Sequence, residues 1–161
     1  MKKFICCIMV IITCFIFSNV NASEGKIFYD TRGTKYEGVV ERMVRLGIVN
    51  GMSETTFAPN KGITRAELAK IITKIKGIED IAFDDKIEYT KEFKDVKKSE
   101  WYYPYVMTAS NLEIMNGYED GLFKPNKEVT YAEVVAILLR NLGYTNIKED
   151  SPNRLVLELY S

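Results

Sequence analysis

The chain has 161 residues, with 22 Lys and Arg balancing 22 Asp and Glu, no histidine, and three cysteines at Cys6, Cys7 and Cys14. Without His there is no His-based acid–base chemistry, no Ser/His/Asp or Cys/His nucleophile, and the commonest metal ligand is missing. A mixed, near-neutral surface gives no reason to expect nucleic acid as a partner.

In chain order, Lys2 and Lys3 precede an apolar run from Phe4 to Phe17, and a polar patch ends in Val20-Asn21-Ala22. This pattern predicts a signal peptide over 1–22, cut after Ala22. The run is shorter than the about 20 residues that span a bilayer, so no membrane attachment is expected after cleavage. A lipoprotein cut before Cys14 is the rival reading, but Ile11-Ile12-Thr13 lacks the small residues that site requires. Removing 1–22 takes all three cysteines, two lysines and no acid, leaving 139 residues with 20 basic and 22 acidic side chains, a net charge of −2. The exported chain is therefore expected to hold no disulfide, thiolate metal site or cofactor.

The remainder repeats itself. At an offset of 66, Leu46, Ile48, Asn50, Gly51, Phe57, Pro59, Asn60, Lys61, Thr64, Ala66, Glu67 and Gly77 recur as Leu112, Ile114, Asn116, Gly117, Phe123, Pro125, Asn126, Lys127, Thr130, Ala132, Glu133 and Gly143. Repeat 1 spans 26–79 and repeat 2 spans 93–144. A solvated linker is expected over 80–92, within the charged stretch from Glu79 to Lys98.

Each unit reads as helix, Gly turn, short loop or ribbon, Pro turn, helix. The first helices are predicted from about Tyr36 to Leu46 and from about Tyr102 to Leu112. The former presents an apolar face of Val39, Val40, Met43, Val44 and Leu46. Gly51 and Gly117 close the following turns, and Pro59-Asn60 and Pro125-Asn126 lead into the second helices. Those helices begin with capping boxes, Thr64 with Glu67 and Thr130 with Glu133. Glu67, Thr130 and Glu133 are read as structural caps, and no residue is read as catalytic. Asp120-Gly121 is a turn signal and not a calcium loop.

Phe93, Asp95, Val96, Trp101, then Gly117-Tyr118, Asp120-Gly121, Phe123, Pro125-Asn126 and Thr130, Ala132, Glu133 together resemble the S-layer homology (SLH) repeat. Repeat 1 keeps Thr64-Arg65-Ala66-Glu67 but has Lys35-Tyr36 where the Trp belongs. The resemblance covers about residues 28–144. It implies a mostly α fold of tandem SLH repeats contributing to a three-pronged pseudo-trimeric bundle, with first helices at its centre. It also implies grooves between repeats that bind secondary cell-wall polysaccharide, often pyruvylated. The protein would then sit on the surface of a Gram-positive-type wall, with other SLH proteins as further partners.

On that basis the contact candidates are Thr64, Arg65, Trp101, Tyr102 and Tyr131. Arg65, one residue after the Thr64 cap, offers a guanidinium fork beside a helix N-terminus; the alternative is a solvated side chain on a helix face. Trp101, with Tyr102 and Tyr103 beside it, offers a flat aromatic wall, or a packing residue that also lines a groove. Tyr131 stands where repeat 2 would carry the arginine, implying a weaker groove.

Residues 145–161 read as the truncated start of a third repeat. At an offset of 50, Ser151, Leu155 and Val156 take the places of Trp101, Tyr105 and Val106. Anchoring is the expected function. The alternative is an assembly module that pairs with other SLH chains without binding polymer. An enzyme is not expected: without His or Cys only a carboxylate pair remains.

Overall fold

The computed structural model describes residues 26–144, so the signal-peptide and third-repeat expectations fall outside the described residues. Among these residues there are five helices: α1 (Glu37–Arg45), α2 (Arg65–Ile75), α3 (Glu79–Ala82), α4 (Tyr103–Asn111) and α5 (Tyr131–Asn141). They hold no strand, only an isolated antiparallel bridge between Thr64 and Glu128. No described helix is long and apolar enough to cross a membrane.

The two repeats match bond for bond. Asp30 accepts from the N–H groups of Phe57 and Ala58, at 2.9 and 2.6 Å. Asp95 does the same for Phe123 and Lys124, at 2.8 and 2.7 Å. Each carboxylate thereby fixes a turn whose second residue, Ala58 or Lys124, sits at positive φ (64° and 59°). Phe28 packs on Phe57 with ring centroids 5.5 Å apart, and Phe93 on Phe123 at 5.4 Å. Gly51 and Gly117 are glycine for want of space: a Cβ at either would collide with the ring of Phe28 or Phe93.

The core is not shared equally between the repeats. Its buried cluster takes Ala66, Leu68, Ala69 and Ile72 from α2, and Val96, Tyr102, Tyr105, Val106, Met107 and Ala109 from repeat 2. Ile114, Met115, Phe123 and Ile137 complete it. The principal helix pairing is α2 on α4, with short α3 touching both. Leu68 and Ile72 are 7% and 1% exposed, and burying each contributes about 1.5–3 kcal/mol.

By contrast, the expected apolar face of α1 buries only Val40, while Val39 and Leu46 are exposed. The first helices α1 and α4 make no contact as extensive as that of α2 on α4.

The stretch expected as a solvated linker is partly docked. Its charges are mostly in solvent, but Ala82 is buried. Phe83 meets Tyr105 edge-on at 5.3 Å, and Tyr89 meets Tyr103 edge-on at 5.9 Å. The Tyr105 hydroxyl donates to Glu79 at 2.9 Å; burial, then that carboxylate, pushes its pKa up to about 12. Aromatic residues spaced among the charges hold this segment to α4.

Candidate functional site

Both second helices start with the same capping geometry. Thr64 Oγ1 accepts from the Glu67 N–H at 3.2 Å, and the Glu67 carboxylate accepts from the Thr64 N–H at 2.8 Å. Thr130 and Glu133 repeat this at 3.2 and 2.8 Å. Beyond the caps the two starts differ in surroundings.

At the start of α2, the orphan amides of a helix N-terminus meet backbone of repeat 2. Arg65 N–H donates to the Lys127 carbonyl and Ala66 N–H to the Pro125 carbonyl, both at 2.9 Å. In return Val129 N–H donates to the Ile63 carbonyl at 3.0 Å. The Arg65 side chain continues across the same junction. Its Nε donates to the Phe123 carbonyl at 2.8 Å and Nη2 to the Asn116 carbonyl at 2.6 Å. Nη1 lies 3.5 Å from Glu133 Oε1. The guanidinium also stacks over the Phe123 and Tyr118 rings, 4.6 and 4.8 Å from their centroids.

With 1% of its surface exposed, Arg65 has neither of the expected roles. It is not a solvated residue, and it presents no free face to a sugar carboxylate. Its donors already satisfy carbonyls of repeat 2, so the reading of Arg65 as a polymer contact is corrected to that of a clamp between repeats.

Glu133 is the acidic partner of this clamp and is 6% exposed. Besides capping α5, it accepts from the Tyr118 hydroxyl at 2.7 Å and from Lys127 Nζ at 3.1 Å. Burial alone would raise its pKa, but the Thr130 N–H, the Tyr118 hydroxyl and Lys127 outweigh it and hold the carboxyl at about 2. A depressed carboxyl stabilises the fold above its unfolded pKa, near 4.5, and loses that contribution as pH falls toward 2. Urea midpoints are therefore expected to fall over that window in the native chain. In Glu133→Gln they are expected to start lower and fall less; parallel curves would exclude this assignment.

The remaining candidates separate by exposure. Tyr102 is 7% exposed and its hydroxyl pKa is raised by burial, then by Glu100 and Asp95. It packs in the core and offers no wall to a ligand, which corrects its reading as a contact. Thr64 is half-buried, with its hydroxyl engaged in the cap. Tyr131 is 77% exposed at the start of α5, and Trp101 is 54% exposed.

Trp101 stands at a groove of about 440 Å³, formed with the Gly51–Ile63 region of repeat 1 and the outer face of α2. Lys61, Lys70 and Lys74 line it, with Glu67 as the single carboxylate. Lys70 Nζ lies 5.7 Å from the Trp101 ring centroid and 5.6 Å from that of Tyr105. Lys74 also pairs with Glu79 at 3.2 Å. An indole wall beside an excess of ammonium groups suits a sugar carrying negative charge.

Trp101 also borders a larger groove of about 760 Å³, but Asp84, Asp85, Glu88, Glu92 and Glu100 line that one against Lys91 and Lys98. Its charge has the wrong sign for an anion. Sequence reasoning missed the lysines, although Glu67, Lys70, Ile71 and Lys74 follow the i, i+3, i+4, i+7 spacing of one helix face.

The S-layer homology domain family model matches residues 27–69 and 92–135, more than half of the chain. The chain belongs to the S-layer homology family. Among its curated relatives is the middle cell wall protein of Brevibacillus brevis, 36% identical over 121 residues, covering 74% of this chain and 11% of that protein. The surface layer protein of Brevibacillus choshinensis shows the same identity and coverage. A cell surface protein of Thermoanaerobacter kivui is 30% identical over 148 residues, covering 91% of this chain and 19% of its own length. The chain thus spans about a tenth to a fifth of these relatives. SLH membership makes it a secreted, cell-surface-attached protein carrying a cell-wall anchoring module.

Proposed function

We propose that this SLH chain anchors itself non-covalently to the wall by holding an acidic secondary cell-wall polysaccharide, of the pyruvylated kind, in the groove at Trp101. The reading rests on one observation: a half-exposed indole with Lys70 beside it, in a groove whose other cations are Lys61 and Lys74. The indole face takes a sugar ring, and the ammonium groups take its carboxylate. Arg65 contributes by fixing repeat 1 against repeat 2, which sets the spacing between the α2 lysines and Trp101. The chain acts here as a binding module and not as an enzyme. The names of its relatives, a middle cell wall protein and a cell surface protein, agree with this location.

The test is sedimentation of the exported chain, residues 23–161, with purified walls before and after removal of the pyruvylated polymer. Co-sedimentation that disappears with the polymer, and weakens as salt screens the lysines, is the expected result. A well-folded chain that stays in the supernatant with intact walls would overturn the reading.

A further inference from the structure

Trp101 borders two grooves of opposite charge. The lysine-lined one suits an acidic sugar, and the other, of about 760 Å³, calls for a different occupant. That volume lies within the range of about 300–1,000 Å³ usual for ligand sites. Half of its lining is apolar or aromatic, including Phe83, Ile87, Tyr89, Trp101 and Tyr103. The Phe83 and Trp101 rings are 57% and 54% exposed, so the groove opens two aromatic side chains to solvent. Most of the other lining residues are acidic: Asp84, Asp85, Glu88, Glu92 and Glu100. Among the described residues none of these five carboxylates pairs with a lysine or arginine. Of the two lysines in the lining, Lys91 is engaged elsewhere. Its Nζ donates to the Ser110 carbonyl at 3.1 Å and to Asn116 Oδ1 at 3.4 Å.

We infer that this aromatic groove binds a second kind of glycan segment, one built of amino sugars with free ammonium groups. Pyranose faces lie on the Phe83 and Trp101 rings, and the ammonium groups meet the carboxylates around them. Charge complementarity selects the cation: five carboxylates against two lysines repel the acidic sugar that the neighbouring groove attracts. Among the described residues no three acidic side chains converge to hold one metal ion. The carboxylates therefore suit positive charges spread along a chain and not a single divalent cation. Two exposed rings in one groove favour a row of sugar faces over a basic peptide, for which the carboxylates alone would suffice. This binding goes beyond the acidic-polymer reading and uses none of its lysines.

Trp101 is the one tryptophan of the chain, so its fluorescence reports on this groove directly. The exported chain is titrated with a glucosamine tetramer, its N-acetylated form and tetralysine. A pH of about 5.5 keeps carboxylates of ordinary pKa ionised and the amines charged. The free-amine tetramer is expected to shift the emission saturably, to bind at least tenfold tighter than the acetylated form, and to weaken as salt is added. Asp85→Asn with Glu88→Gln, both at exposed positions, should weaken it at least tenfold, with folding checked by circular dichroism. Lys70→Glu, in the other groove, should not weaken it. Equal binding of the two sugar tetramers, or no loss in the double variant, would overturn the proposal. Tetralysine binding as tightly as the free-amine tetramer would also overturn it and assign the groove to a basic peptide. Lys70→Glu is expected to lose wall sedimentation while keeping this binding, so either reading can fail without the other.

Discussion

Arg65→Ala is expected to cost about 3–5 kcal/mol of folding stability, the range for removing one partner of a buried ion pair. The loss combines several terms. The Phe123 and Asn116 carbonyls lose their charged donors, Glu133 keeps only Lys127 as a cationic partner, and the Tyr118 and Phe123 rings lose the guanidinium stacked over them. Arg65→Lys should recover part of this, because an ammonium reaches one acceptor well but lacks the fork that reaches both carbonyls. Urea denaturation of native, Arg65→Ala and Arg65→Lys chains measures the series. An Arg65→Ala midpoint equal to the native one would show that the clamp does not hold the repeats together. The result also governs how wall binding is interpreted. Loss of sedimentation in Arg65→Ala reports separation of the repeats unless the variant is shown to be folded.

Trp101→Ala and Lys70→Ala should do the reverse. Trp101 is 54% exposed and lies beside the groove, so its truncation is expected to change stability by no more than about 1 kcal/mol. Wall affinity should drop at least tenfold, since the sugar loses its flat wall. Lys70→Ala removes the ammonium nearest the indole, and Lys70→Glu should weaken binding further by reversing the charge in contact with the polymer. The pairing of readouts is decisive: binding falls while the urea midpoint holds. Unchanged sedimentation of Trp101→Ala and Lys70→Glu would remove this groove from the anchoring function.

Much of the fold was legible because its determinants are local. Thr and Glu three residues apart form the cap that starts each second helix, and a helix of this spacing places its aliphatic residues on one face. The site was less legible because its determinants are distant. Arg65 reaches carbonyls 51 and 58 residues away, and nothing within a few positions of it distinguishes that fate from exposure to water. Trp101 and Tyr102 are neighbours of similar character just before α4, and only packing decides that one faces the groove and the other the core. The charges around Asp84 to Glu88 hid the anchoring of Phe83 and Tyr89, because pattern reading weighs the abundant charges above two isolated rings.

The burial of α2 against repeat 2 separates the unit of folding from the unit of repetition. Cutting the gene at the repeat boundary, to keep residues 93–144 alone, would strip Ala66, Leu68, Ala69 and Ile72 from the core. A piece beginning near Ile63 would retain them. The block that shares this core is thus phased by half a unit against the repeat read from the sequence. Recombination that shuffles whole repeats must therefore exchange compatible junctions, because the helix start of repeat 1 is received by carbonyls of repeat 2. Tandem copies of this kind are constrained pairwise, at their seams, more than within themselves.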